Sequence, residues 1–288
     1  MKESVGWAPS LIPDSPRTTD QIEFHSIYIK KSTMDKAPAI ETRDLTIRFG
    51  GNIAVNEVSL VFEEYHLKSI IGPNGAGKTT LFNLISGQYK PTSGRVYLNG
   101  EDVTGLDPAS RTKLGIGRSF QLTNIFPTLT VLENVRLALQ SKVDVGMVFW
   151  HHWRSYTELE DRAYDLLKQV LLEDRWRYAA STLTHGEQRK LEIAILLGLD
   201  PAVLLLDEPT AGMSIEEVPA ILEIIQDIKA AHNRTILLVE HKFDMIMTVS
   251  DTIAVLKEGQ LICDDTPEAV SNNEKVQAAY LGGGVKHG

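Results

Sequence analysis

The chain has 288 residues, enough for one large domain or two small ones. Hydrophobic residues make up 43% and charged residues 23%, ordinary for a soluble globular protein, and a formal net charge of -9 argues against a nucleic-acid surface as the main partner. No apolar run approaches the ~18–20 residues of a membrane-spanning helix, so a membrane role would have to come through a partner; a single cysteine, Cys263, excludes an internal disulfide and suits a reducing cytosol.

Residues 1–38 read as a poorly ordered extension, with Pro9, Pro13, Pro16 and Pro38 scattered among Ser, Thr and Asp and one apolar patch at 22–29. From Met1 to Asp35 no apolar segment has the length of a secretory signal, and Met34 is a candidate alternative start. From Ile40 to Phe62 the pattern is strand-like: Ile40, Leu45, Ile47 and Phe49, a turn at Gly50-Gly51, then Val55, Val58, Leu60 and Phe62.

A short apolar run ending in Ile70-Ile71 leads into Gly72-Pro73-Asn74-Gly75-Ala76-Gly77-Lys78-Thr79-Thr80, and a helical pattern with Leu81, Phe82, Leu84 and Ile85 opens at once behind it. Strand, glycine-rich loop and helix follow in the order a phosphate cradle requires, and the spacing fits G-x-x-x-x-G-K-[ST], the P-loop. Glycines at 72, 75 and 77 let backbone N–H groups approach a polyphosphate, and the helix N-terminus points its unpaired N–H groups at the same place. Lys78 would reach the β- and γ-phosphates and Thr79 would put its hydroxyl on Mg²⁺. Phe49 and Val55 lie shortly before this loop. An exposed aromatic at 49 would stack on adenine, an interaction worth about 0.5–1.5 kcal/mol beyond burial; a core Phe at the edge of a hairpin is the alternative.

After Pro91-Thr92-Ser93-Gly94, residues 95–98 turn at Asn99-Gly100, a tight-turn signal. A short helix is expected over 108–113, and Gly117-Arg118-Ser119-Phe120 reads as a strand leading to Gln121. Between Leu132 and Tyr178 the pattern is that of a helical insert. Its aromatic segment, Phe149-Trp150-His151-His152-Trp153, fits ordinary packing or a surface for a membrane partner, and adjacent histidines lack the i, i+4 spacing of a metal site. Thr184 and Glu187 have capping-box spacing at the start of the next helix. Val203-Leu204-Leu205-Leu206 and Thr235-Ile236-Leu237-Leu238-Val239 are continuous apolar runs, expected of strands buried on both faces of a parallel sheet. A hairpin turning at Glu258-Gly259 and small helices over 267–270 and 275–281 close the chain. The two runs end in Asp207-Glu208-Pro209 and Glu240-His241. Because open α/β sheets bind ligands at the carboxyl ends of their strands, Asp207, Glu208 and His241 are expected to converge on phosphates held near Lys78.

The ordered set of Gly72–Thr79, Gln121, Leu183-Thr184-His185-Gly186-Glu187-Gln188, Leu204–Glu208 and His241 resembles the ATP-binding subunits of ABC transporters, over about residues 40–282. The resemblance implies an α/β P-loop NTPase: a RecA-like mixed-sheet core with an antiparallel β subdomain and a helical subdomain at about 126–185. It places an N-terminal extension at 1–38, the ATP-binding domain at 39–282 and a tail at 283–288. It implies that Gly72, Pro73, Asn74, Gly75, Ala76, Gly77, Lys78, Thr79 and Thr80 hold the triphosphate of ATP, with Phe49 and Val55 also in the nucleotide-binding set. Thr79 and Gln121 would ligate Mg²⁺ with Asp207 in support. Glu208 would be the general base and His241 its companion at the γ-phosphate, with Gln121 also in the catalytic set.

The resemblance further implies a head-to-tail dimer with a second ABC ATPase subunit, identical or sibling, in which Thr184, His185, Gly186 and Glu187 of one copy cap ATP on the other. Transmembrane permease subunits and, indirectly, a substrate-binding protein would complete an assembly peripheral to the cytoplasmic face of the membrane, without nucleic acid. Arg48-Phe49-Gly50-Gly51, Ser119-Phe120-Gln121, Leu191-Glu192-Ile193-Ala194, Asp207 to Met213 and Val239-Glu240-His241 are most similar to the subfamily serving branched-chain amino acid importers. Urea and short-amide importers and the ATPases of lipopolysaccharide extraction share much of this. A soluble ABC ATPase of DNA repair or the ribosome is disfavoured by the single cassette and absent heptads, and a small-molecule kinase would lack the 183–188 segment. The pattern departs from the family at His185, where glycine is usual, at Thr184, where serine is usual, and at Ser214, where many members have aspartate.

Overall fold

The computed structural model describes residues 37–119, 125–142 and 153–281. Strand β1 (Ile40–Phe49) pairs antiparallel with β2 (Asn52–Phe62) across the Gly50-Gly51 turn, with Phe49 opposite Asn52. Strand β3 (Leu67–Ile71) leads through the glycine-rich loop into helix α1 (Lys78–Ile85). Strand β4 (Ser93–Leu98) adds to the free edge of β1, and β5 (Glu101–Asp102) folds back on it through Asn99 and Gly100, both at positive φ. These strands make an antiparallel sheet in the order β2-β1-β4-β5.

The second sheet gathers β3 with β6 (Ile116–Arg118), β7 (Val203–Asp207), β8 (Thr235–Val239), β9 (Thr252–Lys257) and β10 (Gln260–Asp265), in the order β10-β9-β3-β8-β7-β6. It is parallel throughout except for the β9–β10 hairpin. Strands β3, β7 and β8 are buried at every position. Their side chains divide between two cores: Leu205, Leu237 and Val239 pack with α1 and the antiparallel sheet, while Leu204, Leu206, Ile236 and Leu238 face the helices. Two apolar faces explain why these runs show no polar alternation.

Helix α2 (Pro108–Lys113) is capped by Asp107, whose side chain accepts from Ser110 N. Its Arg111 is 1% exposed and donates to the carbonyls of Leu84 and Ile85, so a guanidinium closes the carboxyl end of α1. Burial pushes that guanidinium down to about 10. Helices α3 (Val131–Lys142), α4 (Trp153–Gln169) and α5 (His185–Gly198) form the helical layer, followed by α6 (Val218–Ala230) behind β7. Helix α7 (Phe243–Val249), which the periodicity does not single out, follows β8, and α8 (Pro267–Ser271) and α9 (Glu274–Leu281) cover a small third core. The expected N-terminal extension and most of the aromatic segment 149–153 lie outside the described residues.

Candidate active site

The site begins where β3 ends. Gly72 adopts φ 152, and a Cβ there would stand 2.1 Å from the Leu256 carbonyl oxygen; Gly77 adopts φ 98, and a Cβ would stand 2.4 Å from that of Ala54. Only glycine fits either place. Among the described residues, no backbone carbonyl accepts from the amides of Gly75, Gly77, Lys78, Thr79 or Thr80, so the loop and the first turn of α1 present a nest of free N–H donors. Lys78 is 5% exposed and donates to the carbonyls of Gly72 (2.8 Å) and Pro73 (3.1 Å). Burial pulls its ammonium below the usual lysine range, against the opposing pull of Glu208 and Asp207. An anion supplied to this loop gains both a desolvated cation and the free amides.

The parallel order β3-β8-β7-β6 brings the ends of β7 and β8 alongside the loop. Asp207 closes β7 with a wholly buried side chain; Oδ2 lies 3.0 Å from Arg118 Nη2, and Oδ1 has no partner among the described residues. Burial pushes this carboxyl above the usual carboxylate range, with Arg118 pulling it back. Glu208 follows at φ 48, a left-handed conformation uncommon for a side-chain-bearing residue and concentrated at functional sites. Its amide donates to the Val239 carbonyl at 2.8 Å, and its Oε1 lies 2.6 Å from His241 Nε2. Glu208 and His241 thus meet side chain to side chain, and Asp207 and Glu208 lie near enough to Lys78 for their charges to act on it. The Asp207 oxygen left without a partner among the described residues, buried and close enough to Lys78 for the two charges to act on each other, fits a hydrated divalent cation held chiefly by phosphates.

Phe49 is 48% exposed and meets Tyr89 edge to face, with centroids 5.4 Å apart at 74°. The exposed ring sets aside the reading of a core Phe. Val55 is a correction: it is 0% exposed, and its Cγ2 packs 3.5 Å from where a Cβ of Gly77 would stand. It supports the loop from beneath and offers no surface to a ligand. Gln121 lies outside the described residues.

At the start of α5, Thr184 accepts from Glu187 N while Glu187 Oε2 accepts from Thr184 N at 2.9 Å, completing the capping box. Arg175 Nε holds the other Glu187 oxygen at 2.8 Å. Thr184 and His185 are exposed, and His185 Nε2 lies 3.2 Å from the Ala211 carbonyl oxygen. Among the described residues, none of the hydrogen bonds of Thr184, His185 or Glu187 reaches the 72–80 loop. Sequence reasoning missed Arg118, which joins Asp207, 89 residues away, to Asn83 Oδ1 and Ser86 Oγ at α1. A basic residue at a strand end carries no signal of such a role.

Comparison with known proteins agrees with this geometry. Residues 55–211 match the family model described as ABC transporter, and residues 260–286 match that of the branched-chain amino acid ATP-binding cassette transporter. The chain is 39% identical over 250 residues to the high-affinity branched-chain amino acid transport ATP-binding protein LivG of Salmonella typhimurium, covering 85% of this chain and 98% of that protein. Identity and coverage are the same for the corresponding protein BraF of Pseudomonas aeruginosa. Among solved structures, an ATP-binding cassette of an ABC transporter in its ADP conformation superposes with a TM-score of 0.73 at 28% identity, over 85% of this chain and 98% of that one. The dimeric post-hydrolysis state of another cassette, bound to ADP and Pi, superposes with a TM-score of 0.68 at 29% identity, over 79% and 98%.

Proposed function

The chain belongs to the ABC transporter family as an ATP-hydrolysing subunit, and we propose that the transporter it energises imports branched-chain amino acids. The observation that carries this reading is the match of residues 260–286 to the branched-chain amino acid cassette model, on top of near full-length similarity to LivG and BraF.

In this reading the triphosphate of ATP lies along Gly72 to Thr80, with Lys78 exchanging its carbonyl partners for phosphate oxygens and Phe49 stacking on the base. Thr79, Gln121 and Asp207 would hold Mg²⁺, which would supply charge neutralisation to the phosphates. Glu208 takes the proton of the attacking water or fixes its orientation. His241 holds the Glu208 carboxylate in line and meets the γ-phosphate. Phosphoryl transfer asks mainly for positioning and charge stabilisation, and removing a general base costs about 10²–10⁴ in rate.

Thr184, His185, Gly186 and Glu187 serve the ATP of a second cassette in a head-to-tail dimer, since their own contacts leave the loop of their own chain untouched. ATP then holds two copies together and hydrolysis releases them. No described helix is long and apolar enough to cross a membrane, and transmembrane permease subunits supply the path, with the cassettes bound at the cytoplasmic face. A substrate-binding protein delivers the cargo.

The test is uptake of radiolabelled leucine and urea in a strain lacking this subunit, complemented with the parent chain or with Glu208→Gln. Loss of leucine uptake alone, restored only by the parent, is expected. Loss of urea uptake alone assigns the chain to the short-amide importers and overturns the proposal.

A further inference from the structure

Glu240 is an acidic residue in an apolar place. It stands directly after β8, is 3% exposed, and faces Thr210, which is 2% exposed. Its Oε1 accepts from Thr210 N at 3.0 Å and from Thr210 Oγ1 at 2.5 Å, and its Oε2 accepts from His241 N at 2.9 Å. The three donors come from two different strand ends: Thr210 belongs to the segment leaving β7, and His241 to the segment leaving β8. No lysine or arginine shares the site in any of these contacts. A buried carboxylate without a cation is costly unless several hydrogen bonds satisfy it, and charge-assisted bonds of this kind are short and strong.

What the carboxylate ties together is the pair that acts on water. Glu208 lies two residues before Thr210, held at φ 48 with its carbonyl accepting from Ala211 N at 3.0 Å. His241 is the next residue after Glu240, and its ring meets Glu208 Oε1 at 2.6 Å. The side-chain contact between Glu208 and His241 is thus closed into a ring by a second, buried contact between Thr210 and Glu240. The outer contact is half exposed and open to water competition, with side chains 28% and 42% exposed; the inner one is sealed.

We propose that Glu240 is a positioning residue for hydrolysis, clamping the two strand ends so that His241 and Glu208 stay in line, without touching nucleotide. This rests on the roles given above to Glu208 and His241. Misplacement of a reacting group by about 1 Å costs on the order of 10²-fold in rate, which sets the expected size of the effect.

The test uses the full-length chain. In Glu240→Gln the amide oxygen still accepts from Thr210, but the amide nitrogen cannot accept from His241 N, so only one arm of the clamp is cut. Turnover is expected to fall about 10²-fold with the ATP dissociation constant unchanged by calorimetry. Since the clamp works through His241, Glu240→Gln should add nothing in a His241→Ala background. Parent-like turnover in Glu240→Gln, or losses that multiply in the double variant, overturns the proposal. Should Glu240→Gln not fold, Thr210→Val and Thr210→Ser decide: reduced turnover in folded Val, restored in Ser, supports the clamp, and parent turnover in folded Val overturns it. A parent chain without ATPase activity, or a parent-like His241→Ala, would instead defeat the underlying assignment of roles.

Discussion

Arg118 Nη2 lies 3.0 Å from Asp207 Oδ2, between side chains that are 12% and 0% exposed, while Nη1 of the same guanidinium reaches Asn83 Oδ1 and Ser86 Oγ. One side chain therefore joins the ends of β6 and β7 to helix α1, and it neutralises a carboxylate whose other oxygen has no partner among the described residues. Replacing it with methionine should cost about 3–5 kcal/mol, the usual consequence of stranding a buried charge, read as a lower urea midpoint.

The pH dependence of that loss has a definite sign. Burial holds the Asp207 carboxyl above its ordinary value in the fold, so folding favours the protonated form. The penalty is complete above the folded pKa and is relieved as pH falls through it. Without Arg118 the folded value rises further, and the deficit of Arg118→Met relative to the parent should shrink on acidification. Parallel urea unfolding at neutral and mildly acidic pH checks this; a deficit that grows toward acid contradicts the charge argument.

Lys78 presents the opposite balance, a buried cation whose desolvation costs the fold and whose proposed partner is phosphate. Burial lowers its pKa, so the fold carries a penalty for the charged form below that value, relieved as pH rises through it. Lys78→Met should raise the melting temperature near neutral pH, with the gain narrowing at alkaline pH. Its ATP affinity should fall about 10²-fold, as hydrogen bonds to a charged group are worth about 1.5–3 kcal/mol each. Calorimetry and thermal melts of one preparation read both effects.

Glu208→Gln keeps the size of the side chain and removes the carboxylate proposed as the base. Hydrolysis should drop about 10²–10⁴-fold while ATP remains bound and the dimer accumulates. Phosphate release and size-exclusion chromatography with ATP measure the two consequences. Hydrolysis at the parent rate would remove Glu208 from the mechanism.

Phe49, half exposed and held edge to face by Tyr89, should contribute to the base and not to the phosphates. Phe49→Ala is expected to weaken ATP about 2- to 10-fold, matching an aromatic contact of about 0.5–1.5 kcal/mol, and to leave the affinity for inorganic triphosphate unchanged. Equal weakening of both would place the ring against the loop instead.

Features built from residues that are neighbours in the chain are legible in the sequence. The strand–loop–helix order around Lys78, the doubly buried runs of β7 and β8, the Glu258-Gly259 turn and the Thr184–Glu187 capping box all follow from spacing within one short segment, where covalent geometry leaves few arrangements. Their combination also sufficed to suggest the family. Contacts between segments belong to the tertiary structure. Arg118 finds Asp207 across 89 residues, and Glu240 finds Thr210 across 30, only because the sheet orders its strands β3-β8-β7-β6 and so sets those ends side by side. Val55 is hidden because β2 runs beneath the Gly77 turn, a depth that a strand pattern cannot report. Periodicity says which side chains share a face; which faces meet depends on how two sheets and a helical layer close over one core.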